Sequence, residues 1–116
     1  MSASFDPDAI VRLRKFGGDV LLHQMIDAML AGAPGRIETL RVAVAAGDAG
    51  AARAALHSLK STAGQMGAMA MAELCERGER LAGEGDLAAA AALLPPLDAE
   101  FATVARRLRE IRQGGA

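Results

Sequence analysis

The chain has 116 residues, 52 % of them apolar, which suits one domain with a real core and leaves no room for a nucleotide-binding catalytic domain. Three Phe, no Trp and no Tyr stand beside abundant Ala, a composition that favours an all-α fold over a sheet. Thirteen basic against fourteen acidic residues give a net charge of −1, without the basic excess or the stacking aromatics that nucleic-acid binding requires.

In chain order, Asp6-Pro7 predicts a helix start, with Asp6 as cap and Pro7 at the first helical position, ending at Gly17-Gly18. Asp19 opens a longer helix, about 19–46, whose stripe is Leu22, Ile26, Met29, Ala33, Ile37, Leu40 and Val44. The stripe keeps phase through Pro34, so one kinked helix is expected. Gly47-Asp48 stops it and caps the next helix, which buries Ala52, Leu56, Leu59, Ala63 and Met66 and breaks at Gly67. Met71, Leu74, Cys75, Gly78 and Leu81 mark a fourth helix, ending near Gly83. Gly85-Asp86 opens the last, with Leu87, Ala90, Leu94, Leu97, Phe101, Val104, Leu108 and Ile111 in phase and a bend at Pro95-Pro96.

Short loops force neighbouring helices to run antiparallel. The predicted architecture is an all-α, up-down-up-down four-helix bundle with a short extra N-terminal helix. One domain covers 1–116: a cap helix over 1–18, the bundle over 19–113 and a disordered tail over 114–116. GDAGAARAAL at Gly47 and GDLAAAAALL at Gly85 echo each other 38 residues apart. Two Asp-capped, Ala-rich helix starts explain the echo more simply than a solenoid, which needs about three repeats. No helix carries a second long apolar stripe, so a monomer is expected.

The opening run MSASFDPDAIVRLRKF lacks the apolar core of a signal peptide, and no segment approaches about 18 uncharged apolar residues. With a single cysteine, which can form no internal disulfide, these features predict a cytoplasmic protein away from any membrane.

His57 is the most informative residue. It lies roughly opposite the buried stripe of its helix and shares its outward face with Gly50, Arg53, Lys60, Ser61 and Gly64. A solvated face usually carries long mixed charges; this one is small or basic, cleared for something bulky to approach. Gly64 within a helix forfeits about 1 kcal/mol against Ala. Neutral imidazole is a nucleophile near pH 7 and suits phosphoryl carriage. The phosphoryl adds about two negative charges, which Lys60, one turn on, can offset. With no ATP site, the group would come from and go to another protein. The alternative is a non-catalytic helical interaction module with an incidental surface His.

The run A-L-H-S-L-K-S-T-A-G-Q-M-G-A, residues 55 to 68, resembles the signature of histidine-containing phosphotransfer (HPt) domains. His57, Leu59, Lys60, Ser61, Gly67 and Ala68 match it position by position. The similarity continues through L-C-E-R-G-E, residues 74 to 79, and the Gly-Asp that opens the last helix. The resemblance implies a phosphorelay carrier that exchanges phosphoryl groups with receiver domains of response regulators or of a hybrid histidine kinase. His57 would be the acceptor, Lys60 its phosphoryl-stabilising cation and Glu79 the group holding the other ring nitrogen. Arg53, Ser61 and Gly64 would form the docking face. Many family members have Gly where this chain has Ser61, a small residue still. The chain would need no cofactor or metal of its own, the Mg2+ ion sitting on the receiver. A histidine-kinase dimerisation segment fits less well: it typically has an acidic residue after the His and often Pro five on, where this chain has Ser58 and Thr62.

The remaining candidates have plainer readings. His23, between Asp19 and Asp27, is expected to be a weakly paired surface residue with no second metal ligand. Cys75 falls on a buried stripe. Met66, Met69 and Met71 fill the core and a turn, and Arg106, Arg107, Arg109 and Arg112 form a solvated helix end.

Overall fold

A computed structural model describes residues 5–114, so the expectation of a disordered tail lies outside the described residues at 115 and 116. The described residues form α1 (Pro7–Ala46), α2 (Ala49–Gln65), α3 (Met69–Gly83), α4 (Leu87–Ala91) and α5 (Leu94–Arg112), with no strand among them. Pro7 occupies the first turn of α1, and the Asp6 carboxylate accepts from the Asp8 N–H at 3.0 Å. As a straight rod, the 40 residues of α1 would be about 60 Å long. The longest dimension of the molecule is 42 Å. The chain turns at Gly18, whose φ of 70° and ψ of −169° leave helical geometry. The predicted break at Gly17-Gly18 is there, and the two segments abut without a loop. Beyond it the helix passes through Pro34 with Ala33 and Ile37 both buried. The buried stripe ends on Ala43, and Val44 is only half-buried.

The turns after α1, α2 and α3 are built alike. In each, the N–H of the residue after a glycine bonds back to a carbonyl five residues earlier: Asp48 to Ala43 (2.9 Å), Ala68 to Ala63 (2.8 Å) and Asp86 to Leu81 (2.9 Å). Asp48 and Asp86 then cap the helix that follows by accepting from Ala51 and Ala89 N–H groups. The middle turn lacks such a side chain. Its glycine serves another contact: the Gly67 carbonyl accepts from the Asp6 N–H at 2.7 Å, fastening the start of α1 over the α2–α3 turn.

The last helix differs from the sequence expectation. It breaks at Ala92-Leu93, before the prolines, and Pro95 and Pro96 sit in the first turn of α5. There their missing N–H groups have no helical partner to lose, whereas deeper in a helix the rings would meet the carbonyls four residues back. The face is kept: Ala90, Leu94, Leu97, Val104, Leu108 and Ile111 are all buried. An 18-residue window of mean hydropathy 1.3 lies within residues Leu87–Arg112, more apolar than the composition suggested. It straddles this break, carries Asp98 and Glu100, and faces its apolar stripe to the core.

Leu22, Ile26, Met29 and Leu40 of α1 meet Leu59 of α2, Met71 of α3, and Leu97 and Leu108 of α5 in one core, from which polar side chains are absent among the described residues. Two ion pairs mark the antiparallel register of α1 and α5. Arg41 reaches Asp98 at 3.3 Å near one end, and Arg112 reaches Asp27 at 3.1 Å near the other. Arg112 also contacts His23 Nδ1 at 3.2 Å. His23 therefore pairs with a cation from α5 rather than with Asp19, which bonds Arg14, or with Asp27. Arg112 is correspondingly a cross-helix contact and not only a solvated helix end. Exposed pairs of this kind contribute little stability each and serve to align the ends.

Candidate functional site

The site depends on how closely α3 approaches α2. Gly78 is buried, and a Cβ placed there would lie 3.0 Å from both terminal methyls of Leu56. The absence of a side chain lets Leu56 seat directly against the α3 backbone. The next residue on each helix is then His57 and Glu79, and these two side chains meet across the interface.

The Glu79 carboxylate faces two partners at once. Its Oε2 is 2.9 Å from His57 Nδ1 and its Oε1 is 2.8 Å from Lys60 Nζ, the latter a charge contact rather than an aligned hydrogen bond. Glu79 is largely buried, at 16 % side-chain exposure, while His57 is 65 % exposed. The adjacent Lys60 ammonium holds the Glu79 carboxyl below the usual carboxylate range, with His57 adding to the effect and burial opposing it. The same contact raises Lys60 above the ordinary lysine value. An ionised carboxylate can only accept hydrogen bonds, so the ring proton belongs on Nδ1 and the lone pair on Nε2. The arrangement presents an exposed imidazole with a fixed tautomer and a nucleophilic outer nitrogen.

Of the residues singled out from sequence, His57, Lys60 and Glu79 are thus brought together. Arg53 lies one turn before His57 and lines a cleft with Gly50, Ala54, His57 and Glu79. Ser61 is exposed one turn after His57 on α2. Gly64 instead borders an apolar groove that includes Phe16, Leu21 and Met25. Sequence reasoning gave Gly78 no role beyond a place in a buried stripe. Its signal was a glycine where every other stripe position is a larger apolar residue. No cluster of three or more His, Cys, Asp or Glu placed to hold a metal ion occurs among the described residues.

The family model for the Hpt domain matches residues 24–113, a span that holds every member of this cluster. The chain belongs to the Hpt domain family. A crystal structure of histidine-containing phosphotransfer protein B (HptB) from Pseudomonas aeruginosa PAO1 superposes with a TM-score of 0.91 at 30 % identity, covering 97 % of each chain. No curated protein sequence matches significantly. This Hpt domain is accordingly a helical-bundle histidine phosphotransfer protein of two-component phosphorelays. Hpt proteins are phosphocarriers rather than kinases, and they work with receiver domains.

Cys75 takes no part in the site. It is fully buried, and burial pushes its thiol up to about 12. A thiol reagent such as DTNB is therefore expected to leave the native protein untouched and to react stoichiometrically in denaturant; rapid native-state reaction would show that α3 opens. Met66 and Met71 are buried and Met69 is 41 % exposed, so the methionine cluster divides between core and surface.

Proposed function

We propose that His57 of this Hpt domain is the phosphoryl acceptor, taking the group from an aspartyl phosphate on one receiver domain and passing it to an aspartate on another. The Nε2 lone pair attacks phosphorus as the P–O bond to the receiver carboxylate breaks. The carboxylate leaves with the bonding electrons, and the product is a phosphorylated imidazolium that keeps its proton on Nδ1. Glu79, 2.9 Å away, stabilises that positive charge, and the return step runs the same path backwards. Lys60 offsets the phosphoryl's charge. Ser61 and Gly64 leave room for the receiver's active-site loop, and the receiver brings its own Mg2+. The domain itself then works without a cofactor or ATP site, as a monomeric carrier in the cytoplasm.

The observation that carries this reading is the pairing of an exposed His57 with a half-buried Glu79 whose carboxyl is held below the usual range. Removing the carboxylate frees the tautomer. Glu79→Ala is expected to slow phosphoryl acceptance by about 10- to 100-fold, with Glu79→Gln nearer wild type because its amide oxygen still accepts from Nδ1. Transfer of label from a phosphorylated receiver measures both, and equal rates for all three proteins would remove Glu79 from the mechanism. The lowered Glu79 carboxyl also fixes a pH signature. Its contribution to stability is complete above the unfolded value of about 4.3 and is lost as pH falls through the lower folded value. Urea midpoints of wild type and Glu79→Gln should differ near pH 7 and converge as pH falls below the lowered folded value.

A further inference from the structure

Glu79 satisfies Lys60 before any phosphoryl arrives, the two lying 2.8 Å apart. Within this cluster one negative charge already matches one positive charge. A phosphoryl group adds about two negative charges, so a Lys60 shared with Glu79 leaves part of that charge unmet. Two cations beside the carboxylate form no ion pair among the described residues: Arg53 on α2 and Arg80 on α3. Arg80 lines the cleft with Lys60 and Glu76. Arg53 lines that cleft too, and also the one into which His57 opens.

Helix geometry favours Arg53. It stands four residues before His57, about 6 Å along the axis and roughly 40° around it. Side chains on a helix lean towards its N-terminus, which favours the Arg53 side of His57, and the cleft that His57 lines includes Arg53. The cleft on that side is floored by Gly50 and Ala54, which leave room for a tetrahedral group. Opposite, α3 presents Gly83, where a Cβ would touch Arg53 Cδ and Nε at 3.9 Å. The Arg53 stem therefore passes α3 where Gly83 presents no side chain, and Arg53 shares both clefts with Glu79.

We propose that Arg53 is a second ligand of the phosphoryl group, its guanidinium donating paired N–H bonds to phosphoryl oxygens on His57 Nε2 from the turn before it. This rests on His57 being the acceptor. Arg53 then supplies the charge that Glu79 withholds from Lys60, and the planar fork of donors fits two oxygens at once. Arg53 is thereby a contact to the carried group and not simply part of the docking face.

Phosphoramidate separates these roles because it needs no receiver to dock. Its P–N bond breaks, ammonia leaves and the new bond forms from Nε2 to phosphorus, with Nδ1 keeping its proton. The full-length protein is phosphorylated this way as wild type, Arg53→Lys, Arg53→Ala and His57→Gln, and circular dichroism verifies each fold. In the wild type, the Arg53 Nε–H resonance should move downfield on phosphorylation. The 31P resonance of Arg53→Ala should be displaced from that of wild type, with Arg53→Lys between them. A phosphorylated His57 with a stationary Arg53 Nε–H and superimposable 31P spectra overturns the Arg53 assignment alone, leaving Arg53 to docking. Absence of label on wild-type His57, or equal labelling of His57→Gln, overturns the acceptor reading on which it rests. The Nε–H measurement is made on wild type, so it holds if Arg53→Ala does not fold.

Discussion

His57→Gln should abolish phosphoryl acceptance and leave the fold intact. The imidazole is 65 % exposed and contributes nothing to the core, so its removal should change stability by no more than about 0.5 kcal/mol. The Lys60–Glu79 contact at 2.8 Å survives the change and keeps the α2–α3 surface in place. The chemistry has no such tolerance. The amide nitrogen of Gln has its lone pair delocalised into the carbonyl and cannot attack phosphorus, so the loss should be complete. Labelled receiver phosphate, quantified on wild type and variant with circular dichroism alongside, tests this. Label retained on His57→Gln would move the acceptor to another residue.

Gly67→Ala should be the most damaging single-methyl change in the chain. Gly67 has φ of 79°, a region that costs a residue with a Cβ about 1–3 kcal/mol. Space makes matters worse: the new Cβ would overlap the Asp6 carbonyl oxygen and approach Ala9 Cβ to 2.8 Å. Neither can retreat without loosening the bond from the Asp6 N–H to the Gly67 carbonyl at 2.7 Å. The expected result is a loss of about 3 kcal/mol, with amide-exchange protection falling first in residues 7–17. Phosphorylation of His57 by phosphoramidate should continue wherever the variant remains folded, since Gly67 lies ten residues further along the chain. Unchanged stability and unchanged protection in 7–17 would show that the N-terminal segment is not held by this turn.

These two residues belong to one sequence signature for different reasons. His57 is there for chemistry and Gly67 for the backbone that docks α1. The helix boundaries were legible because glycine and aspartate mark them chemically: Gly47-Asp48 and Gly85-Asp86 each end one helix and cap the next. The outward aspect of His57 followed from the spacing of Leu56, Leu59, Ala63 and Met66, all buried. The break before α5 was misplaced because a bend inside a helix and a new helix with prolines in its first turn share one apolar phase. Contacts set by packing register lay beyond local pattern. Glu79 is 22 residues from His57, and no periodicity pairs them until Leu56 settles onto Gly78; resemblance alone pointed to it. The link from His23 to Arg112 spans 89 residues and was invisible for the same reason.

Carriage of the phosphoryl group by His57 between receivers is tested most directly by chasing label from a panel of phosphorylated receiver domains. Acid-labile, alkali-stable label is expected to appear rapidly on the wild type, map to His57 and pass onward to a second, unlabelled receiver. No label from any receiver, with the protein folded by circular dichroism, would contradict it and leave a helical interaction module in which the geometry around His57 has no chemical use.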